Sequence, residues 1–111
     1  MTIEGPTAML RIYLGESDHS RGTPTHHRIV ALLLEKGFAG ATVLRGIEGF
    51  GAKQHLHTDR ILSVSGDLPI VIEVVDREER LRAVVPELDE LLGDGLVVLL
   101  PAEVLAHRSA G

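Results

Sequence analysis

The stretch "PIVIEVVDREERLRAVVPELDELLGDGLVVLL", from Pro69 to Leu100, decides the fold, because it encodes a strand, a helix and another strand in succession. Its opening, Pro69 to Asp76, is rich in β-branched residues, which is typical of a buried strand. Apolar residues then recur at the i, i+3, i+4, i+7 spacing of an amphipathic helix; they are Leu81, Val84, Val85, Leu88, Leu91 and Leu92. "GDG" ends this helix, and "LVVLL" is predicted to form the last strand.

The first half of the chain shows the same order of elements. "AMLRIYLG", from Ala8 to Gly15, alternates with period two and predicts a strand. Thr23 followed by Pro24 predicts a helix start, with threonine as the cap. Its apolar stripe is Ile29, Val30, Leu33 and Leu34, and "ATVLRGIE", from Ala41 to Glu48, predicts the next strand. In the second half, Asp76 and Glu79 have the spacing of a capping box.

Two strand–helix–strand units predict a ferredoxin-like α+β fold. Right-handed crossovers leave a four-stranded antiparallel sheet with two helices on one face. The chain of 111 residues has the length of one domain, so we predict a single domain over 1–111. Within it we expect a flexible loop at about 51–68 and a C-terminal tail at about 102–111.

The helix-free face of this sheet is predicted to be an interface. "IVIEVV" and "LVVLL" are apolar on both faces, although two helices cover only one. Large exposed apolar patches usually mark interaction surfaces. We therefore infer a homo-oligomer that packs through the open face. The alternative is that the C-terminal tail folds back over it.

Composition narrows the class of function. The net charge of −5 and the aromatic content of 3% argue against nucleic-acid binding. There is no cysteine, so thiolate chemistry is excluded. The beginning of the chain does not resemble a signal peptide, and the apolar run near Leu96–Leu100 is too short to span a bilayer. We expect a cytoplasmic protein without membrane insertion.

The segment "GIEGFGAKQHLHTD", from Gly46 to Asp59, has an unusual composition. Glycines allow backbone amides to approach a ligand closely, but neither a Walker loop nor a dinucleotide fingerprint is present. His55 and His57 share a face if extended, and with Asp59 they could begin a zinc or copper site. A plain loop with solvated histidines is the alternative. No spacing places a nucleophile or an acid–base pair, so we expect a protein that is not an enzyme.

Several stretches resemble the PII signal-transduction proteins. "KGFAGATVLRGIEGFGAKQHLHTD" is similar to that family's helix end, second strand and mobile loop, and "GDGLVVLLPAEVLAHRSAG" to its glycine turn, last strand and tail. "LRIYLGES" and "AGATVLRGIEGFGA" are closer still to a PII-like branch catalogued as a domain of unknown function. The resemblance implies a homotrimer of ferredoxin-like subunits. It also implies a nucleotide in each intersubunit cleft and a loop that controls a partner protein, such as a membrane transporter or channel.

The resemblance also assigns ligand-binding positions one by one. Gly-Phe-Gly matches the loop along the nucleotide, and Gly-Asp-Gly matches the turn that holds the phosphates. A hydroxyl near the base, a polar loop position and a tail arginine complete the set. The residues so assigned are Thr42, Gly49, Phe50, Gly51, Lys53, Gly93, Asp94, Gly95 and Arg108.

Other positions depart from that family. Leu96 stands where a lysine follows Gly-Asp-Gly, Leu91 and Leu92 stand where one precedes it, and Ala52 replaces an arginine. Each missing charge-assisted contact is worth about 1.5–3 kcal/mol. The departures favour a less charged adenine ligand, or a different molecule, over a triphosphate. The one tyrosine, Tyr13, lies outside the loop, so loop nucleotidylation is not expected. The alternative function is a metal-binding trimer of the copper-tolerance type.

Overall fold

A computed structural model describes residue 3, residues 5–51, the backbone of residues 57–58 and residues 68–109. These residues form two helices and several strands, and neither helix combines the length and apolar content of a membrane span. The elements are β1 (Thr7–Gly15), β2 (His19–Ser20), β3 (Thr23–Pro24), α1 (Thr25–Glu35), β4 (Thr42–Arg45), β5 (Glu48–Gly49), β6 (His57–Thr58), β7 (Pro69–Arg77), α2 (Glu78–Leu91) and β8 (Leu96–Pro101).

The main sheet has the order β4-β7-β1-β8, and each neighbouring pair is antiparallel. The register pairs Ile12 of β1 with Ile72 of β7 and with Val97 of β8. The strands that are adjacent in space therefore come from different halves of the chain. This confirms the predicted ferredoxin-like α+β fold, with β4 and β8 as the two edges.

The core lies between the two helices and one face of the sheet. Period-two alternation sends every second residue of β1 and β7 into this core, and the helices add residues at helical spacing. The fully buried large side chains are Leu10, Ile12, Ile29, Leu33, Ile72, Val74, Leu81 and Leu88. The predicted stripe of α2 is confirmed, whereas in α1 Leu34 is 77% exposed and the prediction that it packs in the core is wrong.

The opposite face of the sheet is apolar apart from a few side chains. The register places Val71, Val75, Val98 and Leu100 on it, together with an ion pair between Arg11 and Glu73 (2.9 Å). Tyr13, Leu44 and Leu96 are also on this face, and their side chains are 37%, 47% and 58% exposed. The doubly apolar character predicted for β7 and β8 is therefore present in the fold, apart from Glu73.

The C-terminal tail does not cover the end of the open face that carries Tyr13 and Leu96. Its described bonds run to the beginning of the chain: Thr7 Oγ1 donates to Ala102 O (2.6 Å), and Ile3 N donates to His107 Nδ1 (3.0 Å). Leu105, an apolar residue of the tail, is 86% exposed. Tyr13 and Leu96, at the other end of β1 and β8, stay exposed. The alternative in which the tail packs back over the open face is not what the described residues show.

Both predicted helix caps are wrong. Thr23 belongs to β3 and pairs with Ser20, so α1 begins one residue after Pro24, and no side chain caps it. Asp76 lies in β7 and is 2% exposed. Its carboxylate accepts bonds from Arg77 N (2.7 Å) and Arg80 Nη1 (3.2 Å), and no side chain caps α2. Burial of Asp76 beside Arg80 outweighed the local capping pattern.

The second predicted strand is shorter than expected. Pairing with β7 covers Thr42–Arg45, and Glu48–Gly49 pairs instead with His57–Thr58. Between them, Gly46 N still donates to Pro69 O (2.7 Å), so the chain stays attached to the start of β7. The strand predicted over 41–48 is thus divided at Gly46 and Ile47. The sequence "RILSV", from Arg60 to Val64, predicts a further short strand, but it lies outside the described residues.

Candidate ligand-binding site

The two glycine segments lie at the same end of the sheet. β4 ends with Arg45 opposite Ile70, near the start of β7, and Gly49–Gly51 follow shortly after. β8 begins with Leu96 opposite Tyr13, near the end of β1, and the Gly93–Gly95 turn precedes it. Because Gly15 pairs with Pro69, these strand ends coincide. The fold therefore brings both segments to one end of the molecule.

They lie at opposite edges of that end, however. β4 and β8 are separated by β7 and β1. Three interstrand spacings of about 4.8 Å place the edges about 14 Å apart. Within one chain, the two segments do not form a single pocket. They can meet only if the β4 edge of one copy approaches the β8 edge of another.

Some of these glycines have a packing reason inside the chain. A Cβ at Gly95 would lie 2.9 Å from Tyr13 O and 3.0 Å from Leu92 Cδ2. A Cβ at Gly46 would lie 2.7 Å from Pro69 Cγ, and one at Gly49 would lie 3.1 Å from the same atom. Any larger residue would therefore displace neighbouring atoms. These three glycines are explained by packing alone and are weak evidence for a ligand.

Gly51 and Gly93 are different. A Cβ at either position would meet nothing within 4 Å, and neither has the positive φ that would favour glycine. Both are exposed. Nothing in the described residues of one chain requires glycine at these two positions. Gly40, at the other end of the sheet, shares these properties, so it is their position in the two glycine segments that makes Gly51 and Gly93 candidates for close approach of a ligand or a second copy.

The segment before Gly51 is anchored at its root and exposed beyond it. Arg45 forms an ion pair with Glu16. Past this anchor, Ile47 and Phe50 are 72% and 70% exposed. Exposed apolar side chains beside a glycine segment suit a ligand with a flat apolar part. Phe50 is thus a candidate contact.

Thr42 and Arg108 are placed elsewhere. Thr42 is exposed at the start of β4 and pairs with Glu73, at mid-height on the open face. Arg108 is exposed next to His107, which bonds Ile3 near the beginning of β1. That is the opposite end of the sheet from Gly93–Gly95. Within one chain, the structure does not bring Arg108 to either glycine segment, so its predicted role requires a neighbouring subunit.

Several predicted residues lie outside the described residues. They are Lys53, His55 and Asp59, while His57 is described only through its backbone, which pairs with Gly49. Among the side chains that the structure describes, no group of three histidine, aspartate or glutamate residues is arranged to hold a metal ion. The alternative metal site therefore gains no support from the described part of the chain.

Few free cations lie near the glycine segments. Asp94 and Glu48 are exposed there, and the guanidinium of Arg45 is already paired with Glu16. On the open face, Tyr13 and Glu73 raise the pKa of Arg11, which stays charged and paired. The described residues of one chain do not build a strongly cationic pocket.

A group of titratable residues lies next to this end, including His26 and His27, for which their place in the first turn of a helix predicts a structural role. Burial lowers the pKa of His26, in the first turn of α1, and the neighbouring His27 lowers it further. The two rings are 4.3 Å apart. Nδ1 of His26 is buried and has no hydrogen-bond partner among the described residues. The sequence shows two adjacent histidines, but only the fold shows that they lie near Arg45.

Comparison with known proteins identifies the family. The family model described as "Uncharacterized ACR, COG1993", DUF190, matches residues 7–104. A UPF0166 protein of Methanocaldococcus jannaschii is 37% identical over 97 residues, which cover 86% of this chain and 89% of that protein. A UPF0166 protein of Aquifex aeolicus is 31% identical over 99 residues, or 87% and 91% of the two chains. Since the match spans the whole sheet and both helices, the chain belongs to the DUF190 (UPF0166) family.

Proposed function

We propose that this protein is a PII-like regulatory protein that binds a small ligand between the subunits of a homotrimer. The ligand is an adenine nucleotide or a related molecule. The observation that carries the proposal is the pair Gly51 and Gly93. Both lie at the same end of the sheet, at opposite edges, and no described residue of the chain supplies a packing or backbone reason for glycine at either position.

The edges explain why the assembly would be a ring. β4 and β8 present different surfaces, so a contact between them is heterologous, and it forms a ring where the rotation between copies closes. A closed trimer is the ring that the resemblance to PII proteins implies. In such a ring the open sheet faces can be buried against each other, which removes Leu96, Leu44 and Tyr13 from water.

The charges around the segments bear on the kind of ligand. The three cations that the PII pattern leads one to expect are absent from the sequence, and Arg45 is engaged by Glu16. A ligand with few negative charges loses less by their absence than a triphosphate does. A monophosphate, a cyclic nucleotide or a nucleoside-like molecule fits this site better.

The loop at about 51–68 would transmit the signal. It begins at Gly51, the residue proposed to contact the ligand, so ligand binding would change its conformation. Order–disorder of such a segment is a common switching mechanism. The loop would then engage a partner protein such as a membrane transporter or channel, and the protein itself would act without catalysis.

A thermal-shift panel of adenine mono-, di-, tri- and cyclic nucleotides at millimolar concentration tests the ligand. Binding to the folded state alone raises Tm, with about 2.7 kcal/mol of added stability at one hundred times Kd. We expect at least one nucleotide to raise Tm, and the least charged ones to be the most effective. If none does, the adenine-nucleotide proposal fails.

A pair of glycine variants tests the position. Gly93→Val places a side chain in the proposed cleft, whereas Gly40→Val does so at the other end of the sheet. A Cβ at either glycine meets nothing within 4 Å, so both variants should fold. We expect Gly93→Val to abolish the nucleotide-induced shift and Gly40→Val to retain it. Equal shifts in both would contradict the assigned cleft.

A further inference from the structure

Glu16 connects the two ends of the long loop. Its side chain pairs with Arg45, the last residue of β4, after which the chain leads through Gly46 toward the loop at about 51–68. Its backbone N donates to Leu68 O (2.8 Å), where the loop rejoins the sheet. One residue after the end of β1 therefore holds the chain at both points. Any change in the Glu16–Arg45 pair acts directly on the root of the loop.

His26 lies beside this pair, because Thr25, the residue before it, donates its N–H to Asp18 O (2.8 Å), two residues after Glu16. The groups that act on it are Glu16, after β1, His19 of β2, Arg45 of β4 and His27 of its own helix. Glu16 favours a positive charge on His26, and the other three oppose it. Burial and the N-terminal end of the α1 dipole oppose it as well. Neutral His26 is thus compatible with the intact Glu16–Arg45 pair.

We propose that His26 is a proton-sensitive switch that weakens the Glu16–Arg45 ion pair at the root of the loop. Among the described groups that act on His26, Glu16 is the one carboxylate, and it is already paired with Arg45. A protonated His26 competes for this carboxylate and repels Arg45. Arg45 is then released from Glu16, and the end of β4 loosens beside Gly46.

Physical magnitudes set the expected size of the response. The Arg45 side chain is 62% exposed, so its ion pair has the modest strength of a surface pair. Its loss should change a local opening equilibrium about two- to fivefold. The response is therefore a graded loosening of the loop root, and the sheet itself should be unaffected.

Amide hydrogen exchange measured by NMR on the full chain tests the switch. The reporter is Gly46 N–H, which is bonded to Pro69 O, and Ile72 in the middle of the sheet is the reference. After correction for intrinsic exchange, we expect Gly46 protection to fall about two- to fivefold between pH 7.5 and an acidic pH below the lowered pKa of His26. Protection of Ile72, which reports global unfolding, should fall only by the loss of global stability measured by urea unfolding at the same two pH values.

Variants assign the response to His26. H26Q should show the same Gly46 protection at both pH values. H27Q should keep the response and move it to higher pH, because His27 lowers the pKa of His26. E16Q, which weakens the pair directly, should have low Gly46 protection at both pH values, and it tests the switch even if H26Q fails to fold. A pH response that survives in H26Q, a wild-type protein without a response, or E16Q with wild-type behaviour would overturn the proposal.

Any effect of this switch on ligand binding rests on the proposed function. The exchange experiment contains no ligand, so its failure would leave the nucleotide proposal standing. Likewise, an absence of nucleotide binding would not affect the measured coupling between His26 and Gly46.

Discussion

Replacing Gly95 by alanine tests the distinction between packing glycines and ligand glycines. The new Cβ would lie 2.9 Å from the carbonyl oxygen of Tyr13, in β1, and 3.0 Å from Leu92 Cδ2. The leucine side chain can adjust, but the carbonyl belongs to a strand held on both sides by β7 and β8. The turn must therefore move away from the sheet.

The cost follows from that overlap. Overpacking at a site with limited room typically costs about 1–3 kcal/mol. For a domain of this size, that lowers Tm by roughly 4–12 °C. Gly93→Ala, two residues earlier in the same turn, is the matched control, because its Cβ would meet nothing within 4 Å. It should raise the free energy of unfolding by about 0.4–1 kcal/mol, through the reduced entropy of the unfolded chain.

Urea unfolding at fixed protein concentration measures both variants, because oligomer stability depends on concentration. The order of stability should be Gly93→Ala, wild type, Gly95→Ala. The ligand-induced Tm shift should follow a different order, with the larger loss in Gly93→Ala. If Gly95→Ala is as stable as the wild type, the packing explanation is refuted.

Three further predictions concern stability and binding. Asp76→Ala removes the buried acceptor of Arg80 and should lower the free energy of unfolding by about 2–4 kcal/mol in urea; a loss below 0.5 kcal/mol would count against it. The free energy of unfolding should fall as pH drops below about 6.5, because burial lowers the pKa of His26 and the unfolded chain therefore binds a proton more readily than the folded chain. In urea unfolding curves recorded over a pH series, H26Q should remove the part of this decrease that is due to His26. Phe50→Ala should weaken nucleotide binding in calorimetry without lowering Tm, whereas Leu34→Ala, at an equally exposed site on α1, should change neither; equal affinities would exclude Phe50 as a contact.

The fold was predictable because its signals are periodic and local. Alternation in "AMLRIYLG" and the helical spacing from Leu81 to Leu92 determined which faces are buried. The caps were not predictable, because tertiary contacts overrode the local motif. Asp76 has the spacing of a capping residue, but Arg80 and the amide of Arg77 occupy its carboxylate.

The site was predictable only in part. Sequence singled out both glycine segments, and the fold places them at one end of the sheet. It could not separate Gly51 and Gly93 from Gly46 and Gly95, because the difference depends on Pro69 and Tyr13, which are distant in sequence. The neighbours of His26 were hidden for the same reason. Residues that meet across neighbouring strands are distant in sequence, so no local sequence pattern predicts their contact.

Native mass spectrometry of the protein, purified from cells without added ligand, tests the central claim most directly. A site shared between the β4 and β8 edges requires more than one copy, and the proposed ring is a trimer, so we predict a trimer that carries up to three copies of a small molecule with the mass of an adenine nucleotide or a close relative. The Gly93→Val trimer should lack that mass. A wild-type chain that is monomeric at micromolar concentration would contradict the account, because its glycine segments could then never meet.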